Sequence, residues 1–291
     1  MRVPDDLRRT IGRWAGEPGQ EWLAALPRLV SELAERWSLE VGAPYQPSGY
    51  TSLALPVTRH GAPYVLKVRI PDEWSAGAAA ALRHYAGRGI VALADEDEER
   101  WALLLERCDP GTPLLDQPDD EATAVVAALA RELWAPPPEG HTFRLLADDA
   151  AGWLTVVRGS RHLSARVRDE AVEALEWLIA DPLPPVVLHT DLHAGNVLRA
   201  QRRPWLAIDP KGAVGDPAFD LAPVIRHLAT PGLVARRLAI VCEVTGLGAA
   251  RVRAWALVKC AEGAEWSYAA GDTESGDEFV VAASLIAALP H

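Results

Sequence analysis

One stretch of the chain concentrates residues able to do chemistry. It reads His189-Thr190-Asp191-Leu192-His193-Ala194-Gly195-Asn196 and is followed by Asp209. Apolar runs flank it: Pro184 to Leu188 leads in, Val197 and Leu198 follow, and Trp205 to Ile208 precedes Asp209. The polar AQRRP between the last two runs reads as a turn. A hairpin centred between Arg202 and Arg203 would set Asn196 opposite Asp209 at its open end, with Asp191 one tight loop away. An amide oxygen and a carboxylate are hard ligands suited to Mg2+ that is also held by phosphate oxygens. Asp191 would then orient or deprotonate an acceptor hydroxyl. That is the division of labour of phosphoryl transfer, where positioning and charge neutralisation dominate. The phosphates also need a cation. Lys67, central in the apolar strand VLKVRI, is the candidate, because a lysine there loses solvation unless an anion meets it.

Taken singly, each of these residues has an ordinary reading: a cap, a snorkelling lysine, a satisfied histidine. His189 reads as a residue that orients the loop more readily than as a base. The ordered set of strand lysine, His-x-Asp-x4-Asn and strand aspartate is what carries the inference. Two other readings remain open at this point. A metal-dependent phosphohydrolase could use His189, Asp191, His193 and Asp209, and a nucleotide-binding scaffold could keep the fold without efficient chemistry.

The elements that must position this set follow from periodicity. Leu23, Leu26, Leu29, Val30, Leu33 and Trp37 form one helical stripe, with Pro27 expected to bend or interrupt it. SGYTSLALPV and APYVLKVRI, joined by TRHG, read as a β-hairpin. An alanine-rich helix is expected over residues 75–86. Two more strands flank DEDEE, whose five carboxylates are expected on a solvated turn. Composition shifts at DPGTPLLDQPDD, after which helices dominate. The expected organisation is a helical segment over 1–40, a small sheet-bearing lobe over 41–108 and a larger, mainly helical lobe over 109–291. The fold class is therefore α+β and two-lobed, with the site in the cleft between the lobes.

The chain has 291 residues, with 29 Lys and Arg against 40 Asp and Glu, a net charge of −11. That balance disfavours nucleic acid as a partner and favours a small or cationic one. The three cysteines form no CxxC pair, which supports neither a disulfide framework nor a thiolate zinc site. No stretch is as apolar and long as a membrane span or a secretory signal, so a cytoplasmic location is expected. Oligomeric state is not legible. Residues 261–278 carry Glu262, Glu265, Asp272, Glu274, Asp277 and Glu278 without a lysine or arginine. Such a rim would attract a basic acceptor, and Trp266 and Tyr268 could add a flat cation–π wall. The expected rim is Glu262, Glu265, Trp266 and Asp272. An ordinary solvated acidic face explains the same charge run.

At HTDLHAGNVL and WLAIDPKGAVGDPAFDLAPVIRHL the chain resembles the aminoglycoside phosphotransferase family, which has the protein-kinase-like fold. The resemblance extends to VLKV, to LLLERC with DPGTPL, and to AEWSYAAGD, and it leans towards the streptomycin 6-phosphotransferase and hydroxyurea phosphotransferase branch. It implies an ATP- and Mg2+-dependent kinase acting on a hydroxyl of a small cationic acceptor, with the streptomycin 6-hydroxyl as first choice. It further implies Asp191 as catalytic aspartate, Asn196 and Asp209 as the magnesium pair, and Lys67 as phosphate lysine. Ser48 and Gly49 would belong to the phosphate-covering turn, and Glu106 and Cys108 to the hinge facing adenine. One departure stands out: where the family has a helix glutamate for its lysine, residues 76–81 read AGAAAA. Glu73 is the only nearby carboxylate and the expected substitute. In GDPAFD, Asp216 is expected to hold the catalytic loop and Asp220 to cap the next helix.

Overall fold

The computed structural model describes residues 1–227 and 229–290. Two helices open the chain, α1 (Asp5–Trp14) and α2 (Gly16–Trp37), followed by strands β1 (Leu39–Val41), β2 (Ser52–Arg59) and β3 (Ala62–Arg69). A short helix α3 (Ala78–Tyr85) precedes β4 (Leu93–Asp97) and β5 (Ala102–Glu106). The strands form one antiparallel sheet in the order β1-β2-β3-β5-β4. The β2–β3 turn is His60-Gly61, both at positive φ (53° and 79°), the backbone that a two-residue hairpin requires.

Period-two alternation decides which face each residue of β3 serves. Leu66 and Val68 join Leu53, Leu55 and Leu104 in a core covered by the leucine stripe of α1 and α2. Lys67, between them, is turned to the opposite face, where Leu103 and Leu105 of β5 meet the second core. The same alternation that buries the sheet under α2 therefore delivers one lysine into the cleft.

Two local expectations fail. Helix α2 runs unbroken through Pro27. Leu23 and Leu26 before it, and Val30 and Leu33 after it, lie in one core, so burial on both sides offsets the missing hydrogen bond. The acidic run sits only in part on a turn: Glu98 and Glu99 do, whereas Asp95, Glu96 and Asp97 belong to β4. Each has its own arginine: Arg59 at 3.1 Å from Asp95, Arg83 on Glu96, and Arg36 at 3.0 Å from the buried Asp97. Separate cation partners remove the repulsion that argued for a solvated turn.

The larger lobe begins with α4 (Asp119–Leu133), β6 (Arg144–Leu145), α5 (Leu146–Arg158) and α6 (Ala165–Ala180), the last capped by Ser164. Then come β7 (Val186–Leu188), the hairpin β8 (Val197–Arg199) and β9 (Trp205–Ala207), and β10 (Ala213–Gly215). Helices α7 (Ala222–Arg226), α8 (Pro231–Thr245), α9 (Ala249–Ala269) and α10 (Thr273–Ala287) complete it. Helix α9 is buried on nearly every side, in contact with α5, α6, α7, α8 and α10. No helix among the described residues is long and apolar enough to cross a membrane.

Candidate active site

The hairpin register settles where the chemical residues fall. Val197 pairs with Ala207 and Leu198 with Leu206, which sets Asn196 opposite Ile208, not opposite Asp209. Ile208 donates its N–H to the Asn196 carbonyl at 2.8 Å. The expected register is thus off by one residue. Asp209 still reaches the site because its backbone turns left-handed at φ 62°, a conformation aspartate tolerates better than most residues.

The structure brings Lys67, Asp191, Asn196 and Asp209 together at this turn. Lys67 Nζ lies 2.5 Å from Asp209 Oδ1, and Lys211 Nζ lies 3.1 Å from Asp209 Oδ2, so one carboxylate holds a cation from each lobe. Burial alone would raise the Asp209 carboxyl; the two lysines overcome it and hold the group well below the usual carboxylate range. Burial pulls the Lys67 ammonium down, against the attraction of Asp209. Asn196 Nδ2 donates to the Asp191 carbonyl at 2.8 Å and to Asp191 Oδ2 at 3.2 Å. Because the amide nitrogen is committed to Asp191, the amide oxygen points the other way and is free to accept a cation. The donor set of that oxygen and the Asp209 carboxylate fits Mg2+ shared with phosphates.

The loop is held by groups different from those expected. Asp220 is fully buried and accepts from His189 N at 3.1 Å, Thr190 N at 2.6 Å and Trp134 Nε1 at 3.1 Å. Thr190 itself is left-handed at φ 68°, so those bonds maintain a strained loop. Asp216, the expected holder, instead accepts from Ala218 N at 2.9 Å and pairs with Arg251 Nη1 of α9 at 2.5 Å. The two aspartates of GDPAFD exchange their expected roles. Nothing in their types or spacing distinguishes them; only the depth of burial does.

His189 is satisfied on both ring nitrogens. Nε2 donates to Ile208 O at 2.9 Å and Nδ1 accepts from Asp191 N at 3.3 Å. Burial drives its pKa down to about 4, so the ring is neutral at pH 7 and neither nitrogen is free for a metal. Burial acts oppositely on Asp220, pushing it up to about 6. The two shifts have opposite consequences for stability. An unfolded histidine takes a proton near pH 6.5, and folded His189 refuses it until about 4, so this group costs stability as pH falls through that window. Folded Asp220 holds a proton between the usual 3.8 and about 6 that the unfolded chain has released, so it gains stability over nearly the same fall. Asp220→Asn removes the compensating half. Thermal unfolding of that variant between pH 6.5 and 4.5 should show an acid-dependent loss, relative to wild type, of about 2 kcal/mol. Parallel pH profiles for the two proteins would contradict this balance.

Other expected residues divide. Glu73 is exposed and lines a cavity with Arg69 and Arg83, and among the described residues Lys67 is paired with Asp209, not with Glu73. One position of the AGAAAA run is fixed sterically. A Cβ on Gly77 would stand 2.3 Å from the Gly212 carbonyl, and one on Gly212 2.4 Å from that of Gly77. The start of α3 thus lies backbone to backbone on the segment after Lys211, and neither position admits a side chain. Ser48 gives its N–H and its hydroxyl to Asp6 of α1, at 2.7 and 3.1 Å, so these donors do not face the cleft. Gly49 is required there, since its Cβ would meet Ser52 Oγ at 2.8 Å. The Glu106 carboxylate is taken by Ala92 N and by Arg202 from the β8–β9 turn, all at 2.9 Å. Cys108, just past β5, gives its backbone N–H to no acceptor among the described residues, and burial keeps its thiol protonated, pushed up to about 11.

The expected acidic rim is largely occupied. Glu262 is buried against Lys259 at 3.1 Å, Glu265 holds Ser160 and His162, and Asp272 caps α10 through Ser275. Trp266 alone of the four is freely exposed, at 48%. The acids that do face an opening are Glu274, Asp277 and Glu278. They line a cavity of about 530 Å³ with Arg226, His227 and Phe279. His227 stacks on His193 with ring centroids 5.9 Å apart, and His193 Nε2 is 3.8 Å from Asp191 Oδ1. That cavity therefore adjoins the catalytic loop.

Solved structures share this architecture. A choline/ethanolamine kinase family protein from Mesorhizobium loti matches with a TM-score of 0.68 at 16% identity, over 90% of this chain and 96% of its own. A thermostable mutant of the aminoglycoside phosphotransferase APH(4)-Ia, in complex with ADP and hygromycin B, matches with a TM-score of 0.63 at 20% identity, over 88% and 97%. The fold is that of the protein-kinase-like phosphotransferases, and with the sequence relatives it defines a small-molecule kinase. The model of the aminoglycoside/hydroxyurea antibiotic resistance kinases matches residues 36–271. A streptomycin 6-kinase of Streptomyces glaucescens is 38% identical over 282 residues, 91% of each chain. A hydroxyurea phosphotransferase of Kitasatospora aureofaciens is 37% identical over 98% of this chain and 86% of its own. The chain belongs to the aminoglycoside/hydroxyurea antibiotic resistance kinase family.

Proposed function

We propose that the chain transfers the γ-phosphoryl group of ATP to a hydroxyl of a cationic aminoglycoside, with the 6-hydroxyl of streptomycin the first acceptor to test. The observation that carries this reading is the meeting of Lys67, Asp209, Asn196 and Asp191 within one turn, a cation and two oxygen ligands beside an unengaged carboxylate oxygen. Lys67 binds the nucleotide phosphates from the sheet side. The free N–H of Cys108 reads the adenine edge. Asp191 receives the acceptor's proton, and its Oδ1 faces that role while Oδ2 is tied to Asn196. Mg2+, when bound, would neutralise phosphate oxygens, and Asn196 and Asp209 would hold it.

The name of the Streptomyces relative supports streptomycin as acceptor, and that of the Kitasatospora relative supports hydroxyurea as the second compound to try. The acid-lined cavity beside His227 suits a guanidino- or amino-bearing ring. Glu274→Gln and Glu278→Gln are each expected to raise KM for streptomycin about fivefold, the loss of about 1 kcal/mol for a partly exposed ion pair, with KM for ATP unchanged. An unchanged streptomycin KM in the double variant would place the acceptor elsewhere.

A phosphohydrolase is the competing reading. It needs ring nitrogens that His189 has already committed to Ile208 and Asp191. Incubation with ATP, Mg2+ and a panel of aminoglycosides, cyclitols and hydroxyurea separates the two. ADP formation that requires a hydroxyl acceptor is the expected result. Equal ADP formation with no acceptor present would favour hydrolysis.

A further inference from the structure

We propose that Lys211 is a further catalytic residue, whose ammonium contacts the γ-phosphoryl group as it is transferred. This rests on the kinase reading above and adds a residue that the reading does not use. Two lysines share the Asp209 carboxylate, but they are not equivalent. Lys67 comes from β3 in the sheet, whereas Lys211 comes from the segment after Asp209 and is anchored to the catalytic loop, its N–H donating to His189 O at 3.0 Å. With its backbone tied to the loop that carries Asp191 and its ammonium on Asp209 Oδ2, Lys211 borders the gap between the proton-accepting carboxylate and the metal-binding one.

That gap is where charge develops. In the transfer, the acceptor oxygen forms a bond to the γ-phosphorus, the bond from that phosphorus to the β,γ-bridging oxygen breaks with its electron pair leaving on ADP, and the acceptor's proton passes to Asp191. The equatorial γ-oxygens carry spread negative charge throughout, and a fixed cation beside them lowers the barrier. The catalytic loop supplies none: residues 189–198 contain no lysine or arginine. Arg226, the next cation after Lys211 along the chain, stands over the Phe279 ring at 4.5 Å. Lys211 needs only to pivot from Asp209 Oδ2 towards the phosphoryl oxygens.

The segment is built to hold that ammonium in place. Gly212 is left-handed at φ 78° and lies backbone to backbone on Gly77, so the residue after Lys211 is pinned by the start of α3.

Lys211→Met and Lys211→Arg test the assignment. With wild type phosphorylating streptomycin, Lys211→Met is expected to lower kcat by about 10²- to 10³-fold with ATP affinity within about threefold, and Lys211→Arg to recover part of the loss. Binding of ADP with aluminium fluoride, a mimic of the transferring group, gives a readout that needs no acceptor. Wild type should bind ADP more tightly when fluoroaluminate is added, and Lys211→Met should lose that gain while binding ADP alone as before. If Lys211 serves only to neutralise Asp209, Lys211→Met will keep both its kcat and its fluoroaluminate gain, and the proposal falls with the kinase reading intact. Should Lys211→Met not fold, Lys211→Gln takes its place in both measurements. Absence of turnover and of the fluoroaluminate effect in wild type overturns both.

Discussion

Replacement of Asp191 by Asn is expected to lower kcat by about 10³-fold while leaving the Kd for ATP within a factor of about two. The separation follows from geometry. Asp191 contacts Asn196 Nδ2 and stands 3.8 Å from His193, but among the described residues it makes no contact with Lys67. An asparagine there can still accept the Asn196 hydrogen bond, so the loop keeps its shape and only the proton acceptor is lost. Rates measured with saturating streptomycin and ATP, beside calorimetric titration of nucleotide, give the two numbers. A variant turning over at more than a third of the wild-type rate would show that another group takes the proton.

Replacement of Asp209 by Ala should have the larger and less selective effect. The carboxylate sits between two lysine ammonium groups, at 2.5 and 3.1 Å, in a largely buried site. Its removal leaves two like charges facing each other without a counter-ion, a defect that costs about 3–5 kcal/mol in buried pairs. It also takes away one of the two oxygen ligands proposed for Mg2+. Expected results are a drop in the thermal unfolding midpoint and loss of measurable turnover, not restored by raised Mg2+. Asp209→Asn separates the two effects: it keeps an oxygen for the lysines and recovers part of the stability, without recovering activity. Full activity of Asp209→Asn at high Mg2+ would remove Asp209 from the metal role.

The parts of this site that were legible in the sequence are those fixed by local pattern. Alternation in VLKVRI was enough to send Lys67 to the face opposite Leu66 and Val68, because period two leaves no third choice. The His-x-Asp-x4-Asn spacing was enough to place one carboxylate and one amide on a single loop. What failed depends on packing that distant residues supply. The hairpin slipped by one residue because AQRRP does not define its own centre; Arg202 does, by reaching Glu106 and the carbonyls of Gly87 and Ile90. Asp216 and Asp220 exchanged roles because Trp134 and Arg251, which decide the matter, lie far away in sequence.

The acidic stretches misled in the same manner. Asp95 to Asp97 could enter a strand because Arg36, Arg59 and Arg83 come to them from three other elements. Glu262 and Glu265 left the expected rim because α9 turns them towards Lys259, Ser160 and His162. Net charge along a segment reports what attraction is available, not which carboxylates remain free after folding. The missing helix glutamate is a different case. Its absence was plain in AGAAAA, but the close Gly77–Gly212 contact beside it became readable only with both backbones in place.

Asn196, Asp209 and Lys67 are proposed to grip the phosphate end of a nucleotide whose last phosphoryl group faces Asp191. A crystal structure with Mg2+ and a non-hydrolysable ATP analogue measures this directly. The expected result is a metal between the Asn196 amide oxygen and the Asp209 carboxylate, Lys67 on the phosphates, and the γ-phosphate facing Asp191. A nucleotide bound with its phosphates away from Asp209, or a metal held without Asn196, would contradict it.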